Sequence, residues 1–370
     1  MMERTGLSKL PERIEAARGS RAVRVAVRVP NWIGDAVLST SVLGALGEAL
    51  SDAEITIIAH RRVAPIFLPS YNGMRVRVFD PVLQHRGVRG LVRFGRGLRE
   101  DGFDMAFVLP LSFSSAFMTY LSGAGERIGY ATQYRSRLLT RTLPLPHDYR
   151  NRHLISHYQA LLEVVGVDNR RRRPEVQVTS RADDAARRWL GRYSVSESDP
   201  LVGLAPGASY GLAKRWPGER FASVARTLAR EYSVRVLVLG GMEDAGLNGI
   251  YGLSDASVID LTGKTSLDEA AALIRRCELF ISNDSGLMHV AAAVGTPVVA
   301  IFGSTSPTWT GPIGERHTVL AGRADCAPCF ARVCPYATYD CLDRIQVSDV
   351  LEASRRTLEE GVFTNRERPG

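Results

Sequence analysis

Residues 279–307 read Leu279-Phe-Ile-Ser-Asn283-Asp284-Ser285-Gly286-Leu-Met-His289-Val-Ala-Ala-Ala-Val-Gly295-Thr-Pro-Val-Val-Ala-Ile-Phe-Gly303-Ser-Thr-Ser-Pro307. A short apolar run, a polar turn, an alanine-rich run and a second apolar run predict a strand–turn–helix–strand unit. Asp284 and Ser285 are good helix-capping types, and Gly286 lets a ligand approach the backbone. The N–H groups of such a helix start suit an anion such as a phosphate. His289, one turn in, would share a face with Ser285. On these residues alone, Asp284 is as readily a plain helix cap and His289 a core histidine.

The same alternation extends to both sides. Val23–Val29 is a strand with valine at every second position, Pro30–Asp35 a turn, and Leu38, Val42, Leu46 and Leu50 mark one face of a helix. Strands follow at 55–59, 76–79 and 105–109, with a basic amphipathic helix over 88–100. Residues 127–152 are less regular and rich in arginine (Arg127, Arg135, Arg137, Arg141, Arg150, Arg152). A helix lies near 157–165, and Asn169–Pro174 is a solvated charge run suited to a linker. The pattern then restarts: a strand at 201–205, a helix over 217–231, and a strand at 234–239 ending in Gly240-Gly241. A capping box at Ser266–Glu269 opens a helix to about 276, and a last helix runs from 347 to 359. This describes an α/β chain of two doubly wound parallel sheets. The divisions are a mobile arm at 1–20, domains at 21–175 and 176–346, and a C-terminal helix and tail at 347–370 that would pack back on the first domain.

The chain has 370 residues, enough for two cores, and Lys+Arg exceed Asp+Glu by 47 − 39 = 8. A polyanionic partner fits that excess: nucleic acid, an acidic membrane surface or a phosphorylated substrate. The polar start of the chain, and the lack of any apolar run of about 18 residues, point to a cytoplasmic protein that does not span a membrane. Four of the five cysteines, Cys326, Cys329, Cys334 and Cys341, lie within one short segment. They are either reduced structural thiols or a structural zinc site.

In open parallel sheets, ligands sit at the carboxyl ends of the strands. There the second half offers Ser209–Trp216, Gly240–Asp244 and Asn283–His289, with Lys214, Glu243 and Asp284 among them. Cations and amides for phosphates, and carboxylates for ribose or amine groups, suit a nucleoside diphosphate. Neither Gly-x-x-x-x-Gly-Lys nor Gly-x-Gly-x-x-Gly is present, so this is not a P-loop or a standard dinucleotide site. In the first half the corresponding edge carries Asn31–Asp35. Asp35 is either a helix cap or a carboxylate able to take a proton from an attacking hydroxyl.

Residues 28–43, 204–217 and 281–303 together resemble the ADP-heptose:lipopolysaccharide heptosyltransferases, glycosyltransferase family 9, and most of all their heptosyltransferase II branch. The resemblance implies a GT-B fold of two Rossmann-like domains facing a cleft, the first binding acceptor and the second donor. It implies inverting, metal-independent transfer of L-glycero-D-manno-heptose from ADP-heptose to a heptose of the lipopolysaccharide inner core, with no cofactor. By motif position Asp35 is the general base, and Ser209 and Lys214 are phosphate contacts. Asp284, Ser285, Gly286 and His289 form the donor loop, and Glu243 is a ribose or adenine contact. Asn31, Trp32, Arg61, Arg62, Arg127 and Arg135 are the candidate acceptor contacts. The setting implied is the inner face of the inner membrane, as a monomer without nucleic acid. The rivals are a nucleotide-sugar epimerase of the same fold, a transferase using another ADP-sugar, and a non-catalytic nucleotide-sugar sensor.

Overall fold

The computed structural model describes residues 21–68, 71–167, 173–245 and 257–365. The arm expected at 1–20 and most of the linker run lie outside these. By internal contacts the chain divides into two units that meet between Glu175 and Val176.

The first unit is built on β1 (Arg24–Arg28), β2 (Glu54–His60), β3 (Arg75–Phe79), β4 (Met105–Val108), β5 (Glu126–Tyr130) and β6 (Arg141–Leu143). All neighbours pair in parallel, in the order β3-β2-β1-β4-β5-β6. The helices are α1 (Ile33–Ala49), α2 (Gly87–Gly97), α3 (Phe113–Leu121) and α4 (Leu154–Glu163). The second unit carries α5 (Ser180–Arg192), β7 (Leu201–Ala205), α6 (Gly218–Tyr232), β8 (Arg235–Val238), β9 (Val258–Asp260) and α7 (Leu267–Arg275). It continues with β10 (Leu279–Asn283), α8 (Gly286–Ala293), β11 (Val298–Phe302), β12 (His317–Ala321) and α9 (Val347–Asn365). Its sheet order is β12-β11-β10-β7-β8-β9, also parallel throughout. Counted from its own first strand, each sheet has the order 3-2-1-4-5-6. The repeat that the sequence does not display is therefore a repeat of topology.

Burial explains which strands were legible. β4, β7, β10 and β11 are buried at every position, and such strands read as unbroken apolar runs. β5 and β6 lie inside the segment expected to be irregular. β5 contains Arg127 and Gly129, and β6 is three residues long at a sheet edge. Edge strands β9 and β12 and the polar helix α5 were not foreseen for the same reason. The Ser266–Glu269 capping box is present, with Ser266 N–H donating to Glu269 Oε2 at 2.9 Å. Pro217 takes the N-cap of α6 instead of its first turn. The C-terminal helix α9 packs on α6 and on β10, β11 and β12, and Val350, Leu351, Ala353 and Leu358 belong to the second unit's core. It is thus a layer of the second unit. Among the described residues no helix is long and apolar enough to cross a membrane.

Candidate active site

Where a sheet's strand order reverses, two adjacent loops leave in opposite directions and open a crevice at the carboxyl edge. In the second unit that point lies between β7 and β10. The turns that follow these two strands are residues 206–216 and 284–289, two of the three stretches singled out by sequence. Asn283, fully buried, joins them: its Nδ2 donates to Pro206 O at 2.8 Å and its Oδ1 accepts Trp216 N–H at 3.1 Å. Trp216 is itself buried, donating Nε1–H to Ile345 O at 2.9 Å.

Asp284 does not cap α8. Ser285 holds the N-cap position without a side-chain capping bond. Instead the buried Asp284 Oδ2 accepts Lys214 Nζ at 2.5 Å and Thr305 Oγ1 at 2.5 Å. An ammonium has three N–H donors and Asp284 uses one, so Lys214 keeps directions for a phosphate. Beside it, the first turn of α8 presents backbone N–H groups at Gly286, with Ser285 Oγ 3.0 Å from Ser282 Oγ. Such a helix start and a held cation form an anion site. His289 lies deeper, buried on α8.

The third stretch meets the first. Ser209 Oγ donates to Glu243 Oε1 at 2.7 Å, and both residues are exposed. Behind them Arg215 Nη2 contacts Asp244 Oδ1 at 3.0 Å. Burial pushes the Asp244 carboxyl up from its ordinary value, against the pull of Arg215. A side chain at Gly207 would sit 2.2 Å from Asp244 Oδ2, so only glycine fits there. Ser209, Lys214, Glu243, Asp284, Ser285 and Gly286 thus line one edge.

Two residues passed over in the sequence join them. The Tyr210 ring lies 4.7 Å from Lys214 Nζ and 5.3 Å from the Arg332 guanidinium. The segment around Arg332 braces the Lys214 turn: Tyr210 OH donates to Phe330 O at 2.6 Å, and Ala213 N–H to Arg332 O at 3.0 Å. Arg332 sits in the cysteine-rich loop, far along the chain, with no motif spacing to connect it to Lys214. Of the cysteines there, Cys326 and Cys329 are exposed, Cys334 is half-buried and Cys341 is buried. Backbone N–H groups, that of Tyr339 foremost, lower the Cys334 thiol, while burial raises Cys341. Among the described residues no three His, Cys, Asp or Glu side chains form a metal-binding group.

In the first unit the order reverses between β1 and β4. Trp32 is the N-cap of α1 and Asp35 is the third residue of that helix, so Asp35 is no cap. A carboxylate in a first turn is favoured by the helix dipole. Beneath it, burial raises the Tyr158 phenol well above its ordinary value, and Asp35 adds to that. Asn31 Oδ1 accepts Arg28 Nη2 at 2.5 Å. Arg28 is buried, and burial lowers its guanidinium to about 10. Arg62 lies 6.0 Å over the half-exposed Trp32 ring, and Arg61 Nη1 is 3.5 Å from Asp80 Oδ1. These four candidates share the edge with Asp35.

Arg127 and Arg135 do not join them as ligands. Arg127 enters β5 and bonds Ala124 O and Leu138 O, at the opposite end of the strand from the reversal edge. Arg135 is fully buried, donating to Tyr130 O at 2.8 Å and to Pro110 O and Ser112 O. It ties the ends of β4 and β5 together, and burial holds its guanidinium at about 10. Sequence gives an arginine's charge but not its depth, which is why these two were grouped with Arg61 and Arg62.

Two doubly wound sheets with polar turns at each reversal, and neither nucleotide fingerprint, are the architecture of GT-B glycosyltransferases. The sequence pattern of Glycosyltransferase family 9 (heptosyltransferase) matches residues 91–340. The chain belongs to this family of glycosyltransferases. It is 31% identical over 312 residues to lipopolysaccharide heptosyltransferase 2 of Salmonella typhimurium, covering 80% of this chain and 88% of the relative. Among solved structures it resembles a family 9 glycosyl transferase of Veillonella parvula at TM-score 0.84 and 25% identity, over 92% of this chain and 98% of that one. The ADP-heptose lipopolysaccharide heptosyltransferase II of E. coli matches at TM-score 0.74 and 28% identity, over 91% and 99% of the two chains.

Proposed function

We propose that this enzyme transfers L-glycero-D-manno-heptose from ADP-heptose to a heptose hydroxyl of a lipopolysaccharide inner core, with inversion and without a metal ion. The observation that carries the reading is Lys214, held by Asp284 beside the first turn of α8, in a chain of the heptosyltransferase family. The acceptor hydroxyl gives its proton to the Asp35 carboxylate, and its oxygen bonds to the anomeric carbon as the bond from that carbon to the diphosphate oxygen breaks. ADP leaves with the bonding pair. Lys214 and the amides at Ser285 and Gly286 stabilise the charge that develops on it, the part a divalent cation plays elsewhere. Ser209 and Glu243 serve the nucleotide, and Asn31, Trp32, Arg61 and Arg62 the anionic acceptor. The enzyme works as a monomer on the cytoplasmic face of the inner membrane. The four clustered cysteines act as reduced thiols that pack the loop bracing Tyr210.

The test is incubation with ADP-heptose and truncated core lipid, in excess EDTA, followed by mass spectrometry. A gain of one heptose per acceptor is expected. Consumption of donor without acceptor would replace transfer by epimerisation, and loss of turnover in EDTA with the fold intact would end the metal-free mechanism. Asp35→Asn is expected to lower turnover by roughly 10²- to 10⁴-fold, with ADP affinity and melting temperature retained. Near-normal turnover would remove Asp35 from the chemistry.

A further inference from the structure

Residues 81–99 carry five arginines and no carboxylate. In the structure they form the turn after β3 and the helix α2, at the edge strand of the first sheet. Arg86, Arg89, Arg93 and Arg96 recur at spacings of three and four, so they share one face of the helix. All four are exposed, and Arg86, Arg89 and Arg96 have no ion-pair partner among the described residues. The opposite face, with Phe94 and Leu98, is buried. Alongside the arginines three aliphatic side chains point to solvent: Val82 at 56%, Leu83 at 70% and Val88 at 75% exposure.

These aliphatics are held out by a built turn. Asp80 Oδ1 accepts the N–H groups of both Val82 and Leu83 at 3.0 Å, and Asp80 N–H donates to His85 Nδ1 at 3.0 Å. The His85 ring stacks on Phe79 at 5.6 Å and meets Phe94 edge-on at 4.7 Å. A side chain at Gly90 would run into the His85 backbone, and Arg93 donates to Gln84 O. A turn tied at this many points displays apolar groups at a cost in water that a folded chain normally avoids by turning them inward. Exposed aliphatics beside a one-sided arginine face are what a helix lying on an anionic bilayer requires, the aliphatics entering the headgroup boundary and the guanidinium groups meeting phosphates.

We propose that the turn after β3 and the arginine face of α2 dock this enzyme on an anionic lipid bilayer. The surface continues into the candidate acceptor edge, because Asp80, which shapes the turn, also contacts Arg61. An acceptor anchored in the same bilayer would be met at the edge that carries Asp35. This last point rests on the proposed function; the docking surface itself does not.

The full chain is sedimented with vesicles of neutral lipid and with vesicles of about 30% anionic lipid. Binding to the anionic vesicles is expected to be stronger and to weaken with salt. Each arginine near a bilayer contributes about fivefold, so Arg86→Ala with Arg89→Ala and Arg96→Ala should reduce partition roughly a hundredfold. Val82→Ser with Leu83→Ser and Val88→Ser should weaken binding at unchanged charge. Both variants should keep the parent melting temperature and the parent turnover on acceptor glycan released from its lipid. Undiminished partition in either triple variant overturns the proposal, as does a dimer that forms without vesicles and that both triple variants dissolve. Vesicle binding as described without heptose transfer leaves the surface standing and sinks the proposed function; transfer to released glycan without vesicle binding does the reverse.

Discussion

Removing the Lys214 ammonium does two things at once. On the proposed function it takes a charge-assisted donor from the diphosphate, worth about 1.5–3 kcal/mol, and it leaves Asp284, only 4% exposed, without its cation. Breaking one side of such a buried pair typically costs about 3–5 kcal/mol of stability. Lys214→Ala is therefore expected to lower ADP affinity by more than tenfold and also to lower the melting temperature. Adding Asp284→Asn to Lys214→Met removes both charges and should restore most of the stability while ADP binding stays weak. Calorimetry on the pair decides the matter: recovered ADP affinity in the double variant would mean that Lys214 only neutralises Asp284. Arg332, 5.3 Å from the Tyr210 ring, has no side-chain ion pair among the described residues. Arg332→Ala should weaken ADP binding with an unchanged melting temperature, and equal affinity would take it out of the donor site.

At the scale of elements, two arginines that look alike in sequence part company. Arg135 closes the ends of β4 and β5, and its loss would leave the part-buried carbonyl of Pro110 without a donor among the described residues, while Tyr130 O keeps the N–H of Thr132. Such a group costs about 1–3 kcal/mol, so Arg135→Ala should unfold at a markedly lower denaturant concentration. Arg62 lies over the half-exposed Trp32 and supports no element. Arg62→Ala should raise KM for the core lipid and leave both stability and the KM for ADP-heptose unchanged. A shifted donor KM would exchange the roles given to the two units. The cysteine loop is an element of the same structural kind. Cys341→Ser is expected to lower stability more than turnover, because burial raises the thiol and so disfavours the reactive thiolate. Elemental analysis finding about one zinc per chain would instead make the four thiols a metal centre.

For the whole molecule, pH acts through histidine. Burial lowers His60, His85 and His157 from the ordinary value of 6.5. The unfolded chain then binds protons that the folded chain refuses, so their contribution is complete above about pH 6.5 and is lost as pH falls below it. His157 donates its Nε2–H to Tyr149 O at 2.8 Å, which places a proton on that nitrogen. The melting temperature should fall between pH 7.5 and 5.5, and His157→Gln should flatten part of that fall. A melting temperature unchanged across this interval would contradict the assignment. Asp244, raised by burial, works in the opposite sense but at more acidic pH.

Hydrophobic periodicity is a local property, and it was enough to place β1 by its alternating valines and the central strands β4, β7, β10 and β11 by apolar runs that reflect burial at every position. The turns that gather at the candidate site were equally legible, since helix starts, glycines and a lone lysine stand together in short motifs. Charge was legible but depth was not: Arg135 and Arg62 differ in burial, and burial is set by neighbours far away in the chain. The ion pair between Lys214 and Asp284 joins residues 70 positions apart, and Tyr210 meets Arg332 through a loop with no pattern of its own. Asp284 is not in the capping position suggested by its local sequence, because Ser285 holds the N-cap and the Asp284 carboxylate is engaged by Lys214 and Thr305. Sequence alone thus determined the class of fold and the turns that gather at the candidate site. The tertiary structure decided which charges face it and which ones hold the protein together, because that choice depends on desolvation, which only the packed chain defines.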